Sequence, residues 1–181
     1  MGVPPRVSVV VPTFRRKASV ERLLEALSRQ TLDAAQFETI VSIDGSEDGT
    51  RESVAAYTGR YALQGLWRPN GGRAAACNSG IRAARGQLVV LLDDDMEPAP
   101  EFLEAHLRAH SSGKRRGVLG AVPVAVGPDS PPVVRFIGER FERHLQKLAS
   151  SGHEIGIRDF YSGTFSLGRG PFLGGCLFYE G

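Results

Sequence analysis

Three consecutive aspartates, Asp93, Asp94 and Asp95, directly follow the apolar run of residues 88–92. Adjacent carboxylates repel one another, and a buried strand that ends in them delivers their charge to a crevice, so a bound cation would resolve the conflict. Carboxylate oxygens suit Mg²⁺ or Mn²⁺, and a site with one or two protein carboxylates leaves coordination positions for the phosphates of a nucleotide diphosphate. The alternative interpretation is a solvated acidic turn that caps the next helix.

Two further polar side chains, Thr13 and Asp44, follow the β-branched runs at residues 7–11 and 39–43. Asp44 can accept hydrogen bonds from the edge of a nucleobase. Arg73 comes after a glycine-containing turn at the start of a helix, where its guanidinium can meet phosphate oxygens. The alternative interpretations are a helix-capping aspartate and a solvated arginine.

Strands alternate with helices along the first 110 residues, which predicts a mostly parallel α/β sheet with helices on both faces. Ligands bind beyond the carboxyl ends of such strands, so Thr13, Asp44 and the triple aspartate should converge at one edge. We expect strands at 7–11 (ended by Pro12), 39–43, 63–67, 88–92, 118–126 and 160–167, and helices at 50–57, 73–85, 100–110 and 132–148, with one more helix capped by Ser19 and a left-handed cap at Gly86.

Length and composition favour one domain over residues 1–181. Hydrophobic residues make up 41% of the chain and charged residues 23%, which is enough apolar surface for a core. The net charge of +2 is too small to indicate nucleic acid as the main partner. Cys77 and Cys176 show no metal spacing, which indicates a reducing compartment. With no apolar run of membrane-spanning length, we expect a cytoplasmic protein.

Other patterns in the chain indicate no chemistry of their own. The acidic loop that begins at Asp44 lacks the glutamate that a calcium loop needs at its twelfth position, which is Ala55. His106 and His110 are spaced by four residues but lack the glutamate of a zinc protease, so we expect a solvated helix face. Cys77 is expected to be a small buried side chain rather than a nucleophile.

Four segments in order, VSVVVPT (7–13), IVSIDGSEDGT (40–50), NGGRAAACNSG (70–80) with 83–86, and LLDDDMEP (91–98), resemble glycosyltransferase family 2, the A-type nucleotide-sugar glycosyltransferases. The segment 160–175 is similar to a later part of the family pattern. The chain departs from that pattern at Ile43, where a second acid is frequent, at Thr164, where asparagine is frequent, and at Gly168, where a basic residue is usual.

The resemblance implies the A-type fold and a role for each matched residue. Pro12 and Thr13 would contact the nucleoside, Asp44 the base, and Arg73 and Asp94 the nucleotide. Residues 93–95 would be the DxD motif, with Asp95 and Asp93 as ligands of Mn²⁺ or Mg²⁺.

The resemblance also implies an inverting transfer of a sugar from a nucleotide-diphosphate sugar to a hydroxyl of a glycan, a lipid or a similar acceptor. Residues 1–110 would form the donor half and residues 111–181 the start of the acceptor half of a domain that we expect to be truncated at its C-terminus. The catalytic base is then expected beyond Gly181, with Glu180 as the candidate within the chain.

Two other functions remain open at this stage. A nucleotidyltransferase would share the sheet and the metal carboxylates, but a glycine-rich basic loop would be expected after its first strand, and residues 13–17 are basic without glycine. A non-catalytic protein that binds nucleotide sugars or glycans would need no base. The expected location is the cytoplasm, with attachment to the inner face of a membrane as one option.

Overall fold

Strands and helices alternate in the computed structural model, which describes residues 4–111, 117–150, 156, 163–175 and 177–180. The strands are β1 (Val7–Thr13), β2 (Phe37–Asp44), β3 (Ala62–Arg68), β4 (Leu88–Leu92), β5 (Val118–Leu119) and β6 (Thr164–Gly168). The helices are α1 (Lys17–Ser28), α2 (Thr50–Ala56), α3 (Gly72–Ala83), α4 (Phe102–His110), α5 (Pro132–Ala149) and α6 (Arg169–Leu173), with a 3₁₀ turn at Ala34–Gln36 before β2.

The strands form one sheet in the order β3-β2-β1-β4-β6-β5. Strands β3, β2, β1 and β4 are mutually parallel, whereas β6 runs antiparallel to both β4 and β5. The mostly parallel α/β sheet expected from the sequence is confirmed. Residues 12–13, 44 and 93–95 therefore lie at the same edge of the sheet, because each follows or ends a parallel strand.

Alternate residues of the central strands enter two separate hydrophobic clusters, one on each face of the sheet. On one face, Val9, Val41 and Val90 pack with Leu23 of α1 and Leu103 of α4. On the other, Val10, Ile40 and Leu91 pack with Cys77 and Ile81 of α3. Burial on both faces explains why these strands are continuously apolar rather than alternating. The buried position of Cys77 is as expected.

Several expected boundaries are wrong, each for a local reason. Helix α1 begins at Lys17, so Ser19 lies inside the first turn instead of capping it. Gly86 has no positive φ. A Cβ there would lie 2.6 Å from the Ser8 backbone nitrogen, so the glycine allows close approach to β1 rather than a left-handed cap. Strand β1 continues through Pro12, which pairs with Ser42 of β2 but lies beyond the segment that pairs with β4, where its missing N–H is not needed.

The second half of the chain contains less strand than expected. The strand expected at 118–126 is only Val118–Leu119. Of the strand expected at 160–167, residues 160–162 lie outside the described residues, and β6 covers Thr164–Gly168. None of the helices in the described ranges is both long and apolar enough to cross a membrane.

The histidines of α4 do not form the solvated face that we expected. His106 is 3% exposed. Its Nδ1 lies 2.7 Å from Ser166 Oγ of β6, and His110 Nε2 lies 2.9 Å from the same oxygen. Burial and the nearby His110 lower the pKa of His106 to about 4. Spacing alone did not reveal that this face of α4 packs on the antiparallel strand.

Candidate functional site

A cavity of about 560 Å³ opens at the carboxyl ends of β1, β2 and β4. Its walls contain every residue that the sequence assigned to nucleotide or metal: Pro12, Thr13, Asp44, Arg73, Asp93, Asp94 and Asp95. The other lining residues among those that the structure describes are Phe14, Arg16, Asn70, Gly72 and Ala76. The fold thus brings together residues that lie up to 83 positions apart in the sequence.

A hydrogen bond joins two cavity-lining residues that lie at the ends of the neighbouring strands β1 and β4. Thr13 Oγ1 donates to Asp94 Oδ2 at 2.7 Å, and both side chains are buried. Burial raises the pKa of Asp94, while the bond from Thr13 and the charge of Arg16 oppose that rise. The middle aspartate is therefore fixed against β1 and does not project into the solvent.

Two arginines face the other aspartates across the cavity. Arg16 Nη1 lies 2.7 Å from Asp95 Oδ2 and 3.4 Å from Asp94 Oδ1. Arg73 forms an ion pair with Asp93. The Asp95 carboxylate is half exposed, so its charge remains accessible from the cavity. Two guanidinium groups therefore offset most of the charge of three adjacent carboxylates.

Asp44 organises the turn that precedes α3. Its Oδ1 accepts hydrogen bonds from Arg68 at 3.1 Å and from the Gly71 backbone N–H at 3.0 Å. Its Oδ2 accepts from the Gly72 N–H at 2.8 Å. This is the geometry of a helix-capping carboxylate, the alternative that the sequence had left open. Gly72 has φ +86, and the turn places Arg73 over the cavity.

The carboxylates that line the cavity suit a hard divalent cation, but protein side chains would supply only some of its ligands. No three His, Cys, Asp or Glu side chains within the described segments are arranged to hold a metal by themselves. Asp93 and Asp95 both line the cavity and present carboxylate oxygens, the ligands that Mg²⁺ and Mn²⁺ prefer. A site of this kind takes its remaining ligands from phosphate oxygens and water.

The structure does not bring Glu180 to the cavity. Its carboxylate accepts a hydrogen bond from Asn78 Nδ2 at 2.7 Å and lies 3.4 Å from Arg82 Nη2, both on α3. The hydrogen bond from Asn78 lowers the pKa of Glu180. Because Asn78 also bonds the backbone of Phe178 in both directions, this end of the chain is attached to the side of α3.

The two later departures from the family pattern lie at opposite ends of β6. Thr164 is buried and pairs with Leu92, so it lies beside the start of the triple aspartate. Gly168 pairs with Leu88 at the other end of β4, away from the cavity.

Sequence reasoning missed Phe14 and Arg16 as lining residues. Both belong to the segment after β1, which was noted only for being basic and free of glycine. A signal was available, because Arg16 is four residues beyond Pro12 and the turn after a parallel strand commonly lines the ligand crevice. The ion pairs of Arg16 with residues near position 95 could not be predicted from local pattern.

Curated relatives match most of this chain, and they are longer than it. Validoxylamine A glucosyltransferase of Streptomyces hygroscopicus subsp. jinggangensis is 34% identical over 172 residues, which cover 91% of this chain and 41% of the relative. Dolichol-phosphate mannosyltransferase of Mycosarcoma maydis is 30% identical over 178 residues, covering 93% of this chain and 58% of that protein. The chain spans about two fifths of the first of these relatives.

Solved structures share the fold. The mannosyltransferase PcManGT from Pyrobaculum calidifontis, in complex with GDP-Man and Mn²⁺, superposes with a TM-score of 0.74 at 22% identity, covering 98% of this chain and 48% of that one. S. aureus TarS 1-349 in complex with UDP-GlcNAc gives a TM-score of 0.62 at 26% identity, covering 70% of this chain and 37% of that one. The A-type glycosyltransferase fold expected from the sequence is confirmed.

The profile of the family described as Glycosyl transferase family 2 matches residues 8–169. The matched region runs from β1 to the start of α6 and includes every residue that lines the cavity. The chain therefore belongs to glycosyl transferase family 2.

Proposed function

We propose that this chain binds a nucleotide-diphosphate sugar in the cavity and takes part in the metal-dependent, inverting transfer of the sugar to an acceptor hydroxyl. The observation that carries the proposal is the convergence of Thr13, Asp44, Arg73 and the three aspartates around one cavity. Family membership supports sugar transfer over the nucleotidyltransferase alternative. The lining residues in the described part of the chain lie between positions 12 and 95, which supports residues 1–110 as the donor half.

Charge balance in the cavity supports a role for a divalent cation. Three carboxylates face two guanidinium groups, so the bare site has a net negative charge and would repel a diphosphate. Asp95 and Asp93 would hold Mn²⁺ or Mg²⁺, and the cation would neutralise the charge that develops on the leaving diphosphate. Arg73 can then exchange its bond to Asp93 for one to a phosphate oxygen.

The nucleoside would lie against the turn after β1 and the turn before α3. Pro12 and Thr13 form one wall, and the half-exposed ring of Phe14 provides a face on which a base can stack. Both carboxylate oxygens of Asp44 already accept hydrogen bonds from the turn before α3. A nucleobase that contacts Asp44 would therefore have to donate to a lone pair that these bonds leave unused.

The acceptor class remains a proposal: a hydroxyl of a glycan, a lipid or a similar molecule. The relatives include a dolichol-phosphate mannosyltransferase and an undecaprenyl-phosphate 4-deoxy-4-formamido-L-arabinose transferase, which supports a lipid phosphate as one acceptor class. The cytoplasmic location expected from the sequence also stays a prediction.

The test is thermal unfolding with UDP or GDP, in Mn²⁺ and in chelator. We expect stabilisation by nucleotide in the presence of Mn²⁺, by about 2.7 kcal/mol at a hundred times the dissociation constant, and little in chelator. Asp95→Asn should abolish the metal-dependent part. Glu97→Gln is the matched control, because Glu97 is a nearby exposed acid outside the cavity lining.

Three results would contradict the proposal. Equal stabilisation with and without Mn²⁺ would remove the metal role. Equal loss in Asp95→Asn and Glu97→Gln would show that the effect is one of general charge and not of ligation. Absence of stabilisation by any nucleotide or nucleotide sugar would remove the donor site itself.

A further inference from the structure

The backbone around Arg16 is fixed on both sides. The Arg15 N–H donates to Ser46 Oγ at 2.8 Å, and the Lys17 N–H donates to Asp48 Oδ2 at 3.1 Å. These bonds attach the loop after β1 to the loop after β2. Arg15 also has φ +54, in the left-handed region that residues other than glycine rarely adopt. A strained residue between two such bonds indicates that the position of the next side chain, that of Arg16, has a function.

The side chain of Arg16 is held less firmly than its backbone. Both of its contacts with the aspartates use one nitrogen: Nη1 lies 2.7 Å from Asp95 Oδ2 and 3.4 Å from Asp94 Oδ1. The Arg16 side chain is 52% exposed and that of Asp95 is 50% exposed. Ion pairs as exposed as this one contribute little to stability, so the guanidinium can leave Asp95 at low cost.

Arg85 shows how this chain holds an arginine that supports the fold. Its Nε and Nη2 both donate to Glu38 Oε2, at 2.8 and 2.6 Å, and its backbone N–H donates to Oε1 of the same carboxylate at 2.8 Å. The Glu38 side chain is only 6% exposed. By comparison, Arg16 bonds a half-exposed carboxylate through a single nitrogen, which suits a contact that is exchanged.

Arg16 and a divalent cation would compete for Asp95. A cation bound to a carboxylate oxygen lies about 2.1 Å from it, which would place a double positive charge within about 5 Å of a guanidinium that stays on Asp95. Each of the two would therefore weaken the binding of the other. Phosphate oxygens in the same cavity would offer the guanidinium another anionic partner.

We propose that Arg16 couples the binding of the cation to the binding of the nucleotide. In the free chain, Arg16 occupies Asp95 and disfavours a cation without nucleotide. When a nucleotide diphosphate enters, Arg16 exchanges Asp95 for phosphate oxygens and leaves that carboxylate to the cation. The inference rests on the proposed function, because it requires a cation at Asp95 and a diphosphate in the cavity. Arg16 thereby makes the complex of cation and nucleotide the preferred ligand.

The test is calorimetric titration of the parent and of Arg16→Gln with Mn²⁺ alone, and with UDP and GDP at saturating Mn²⁺. Arg16→Gln should bind Mn²⁺ alone on the order of tenfold more tightly, because Asp95 loses its competing cation. The same variant should bind nucleotide on the order of tenfold more weakly, because a charge-assisted bond to phosphate is lost. A damaged fold would weaken both, so shifts in opposite directions identify the coupling.

Three further variants serve as controls. Lys17→Gln removes the same charge from the next residue, which does not line the cavity, and should titrate like the parent. Arg16→Lys keeps the charge without the planar fork, so its Mn²⁺ affinity should stay near that of the parent and its nucleotide affinity should be intermediate. Adding Asp95→Asn to Arg16→Gln should remove the gain in Mn²⁺ affinity.

Failure of this inference differs from failure of the proposed function. A parent that binds nucleotide in Mn²⁺, with Arg16→Gln shifted no more than Lys17→Gln, would overturn the role of Arg16 and leave the donor site in place. Weaker binding of both probes by Arg16→Gln, or a gain in Mn²⁺ affinity that survives Asp95→Asn, would also overturn it. No nucleotide binding by the parent would remove the proposed function, and this inference with it.

Discussion

Asp44 connects a strand end to the first turn of a helix through its carboxylate. The side chain is 3% exposed, and both of its oxygens accept backbone N–H groups from the turn that begins α3. Those N–H groups have no partner within the helix, and a carboxylate there also interacts favourably with the helix dipole. The position of Arg73 over the cavity therefore depends on Asp44 before any ligand is bound.

Asp44→Asn should destabilise the folded chain without nucleotide. An amide replaces one acceptor oxygen with a donor, which then faces a backbone N–H or Arg68, so we expect a loss of roughly 1–3 kcal/mol in the free energy of unfolding. Urea denaturation measures it. Asp33→Asn is the control, since Asp33 caps an exposed 3₁₀ turn with a single bond to Ala35 and should cost less. An equal loss of unfolding free energy in both variants would mean that the burial of Asp44 adds nothing to the cost of replacing its carboxylate.

For single residues, the sequence predicts which side chains follow the end of a strand, but it does not predict which side chains they bond to. Thr13, Asp44 and Asp94 were identified because each lies where a parallel strand stops. Their hydrogen-bond partners could not be predicted in this way. The bond from Thr13 to Asp94, for example, joins the ends of β1 and β4, which are neighbours only in the folded sheet. Arg16 was missed for the same reason, because its contacts with Asp94 and Asp95 depend on the path of the loop after β1.

Helix α3 approaches the sheet closely because it carries no side chain at Gly80. A Cβ at this position would lie 2.4 Å from Val10 Cγ1 of β1, and Val10 is fully buried among packed neighbours. Neither partner can move freely, since α3 also packs on β2 and its first turn is attached to Asp44. The glycine therefore sets the distance between helix and sheet.

Gly80→Ala should lower the free energy of unfolding by roughly 1–3 kcal/mol, because overpacking exceeds the gain of about 1 kcal/mol in helix propensity. Gly170→Ala in α6 is the matched control, because nothing lies within 4 Å of its added Cβ. Denaturant unfolding of both variants provides the comparison. A neutral Gly80→Ala variant would show that α3 can shift away from β1 without loss.

The packing of α4 on β6 should make stability depend on pH. His106 has a pKa of about 4 in the folded chain because burial and His110 disfavour its charged form, against about 6.5 when unfolded. The unfolded chain therefore binds the proton first as pH falls. Stability is fully present above pH 6.5 and is lost between about 6.5 and 4, by on the order of 2–3 kcal/mol.

Urea unfolding of the parent and of His106→Leu across this pH range measures the contribution of His106. The variant curve should be flatter between pH 6.5 and 5, before carboxylates begin to titrate. Ser166→Ala is a second comparison: it removes the hydroxyl that both rings contact and leaves His106 in place, so it should retain a pH dependence. Parallel curves for parent and His106→Leu would assign the titration to another group.

For helices and strands, the sequence predicts the type of an element more readily than the direction in which a strand runs in the sheet. The apolar run of β4 was identified with its correct bounds, since it is buried on both faces and followed by polar residues. Strand β6 was expected but its antiparallel direction was not, because hydrophobic periodicity is the same in both directions. Strand β5 is short: the Gly120 N–H still donates to Thr164 O of β6 at 2.9 Å, but Pro123, which has no N–H to donate, follows soon after.

Sugar transfer should depend on chain beyond the donor cavity. Among the residues that the structure describes, the carboxylates that line the cavity are Asp44 and the three aspartates, which we assign to the donor side, and Glu180 is bonded to α3 instead. We therefore expect the 181-residue chain to bind donor but transfer sugar slowly. If residues beyond Gly181 supply the base, a chain that includes them should transfer about 10²–10⁴-fold faster, the usual contribution of a general base, with similar donor affinity.

Turnover and donor affinity measured on both lengths provide the test. Full activity in the 181-residue chain would show that a base is already present, and Glu180→Gln would then be the first variant to examine. No transfer by either length, across several sugars and acceptors, would favour a protein that only binds nucleotide sugars.

The sheet order has a consequence for synthesis on the ribosome. Strand β1 is made first but lies between β2 and β4, and the register pairs Val7 with Leu88. At about 5–20 residues per second, β1 waits several seconds for its second neighbour, exposing an uncharged, valine-rich edge to other nascent chains. Pro12 lies just beyond the part of that edge that β4 later covers, and its nitrogen cannot donate to an incoming strand, so pairing cannot extend through it. A residue that lines the nucleotide cavity thus also limits the length of edge that another nascent chain could pair with before the cavity exists.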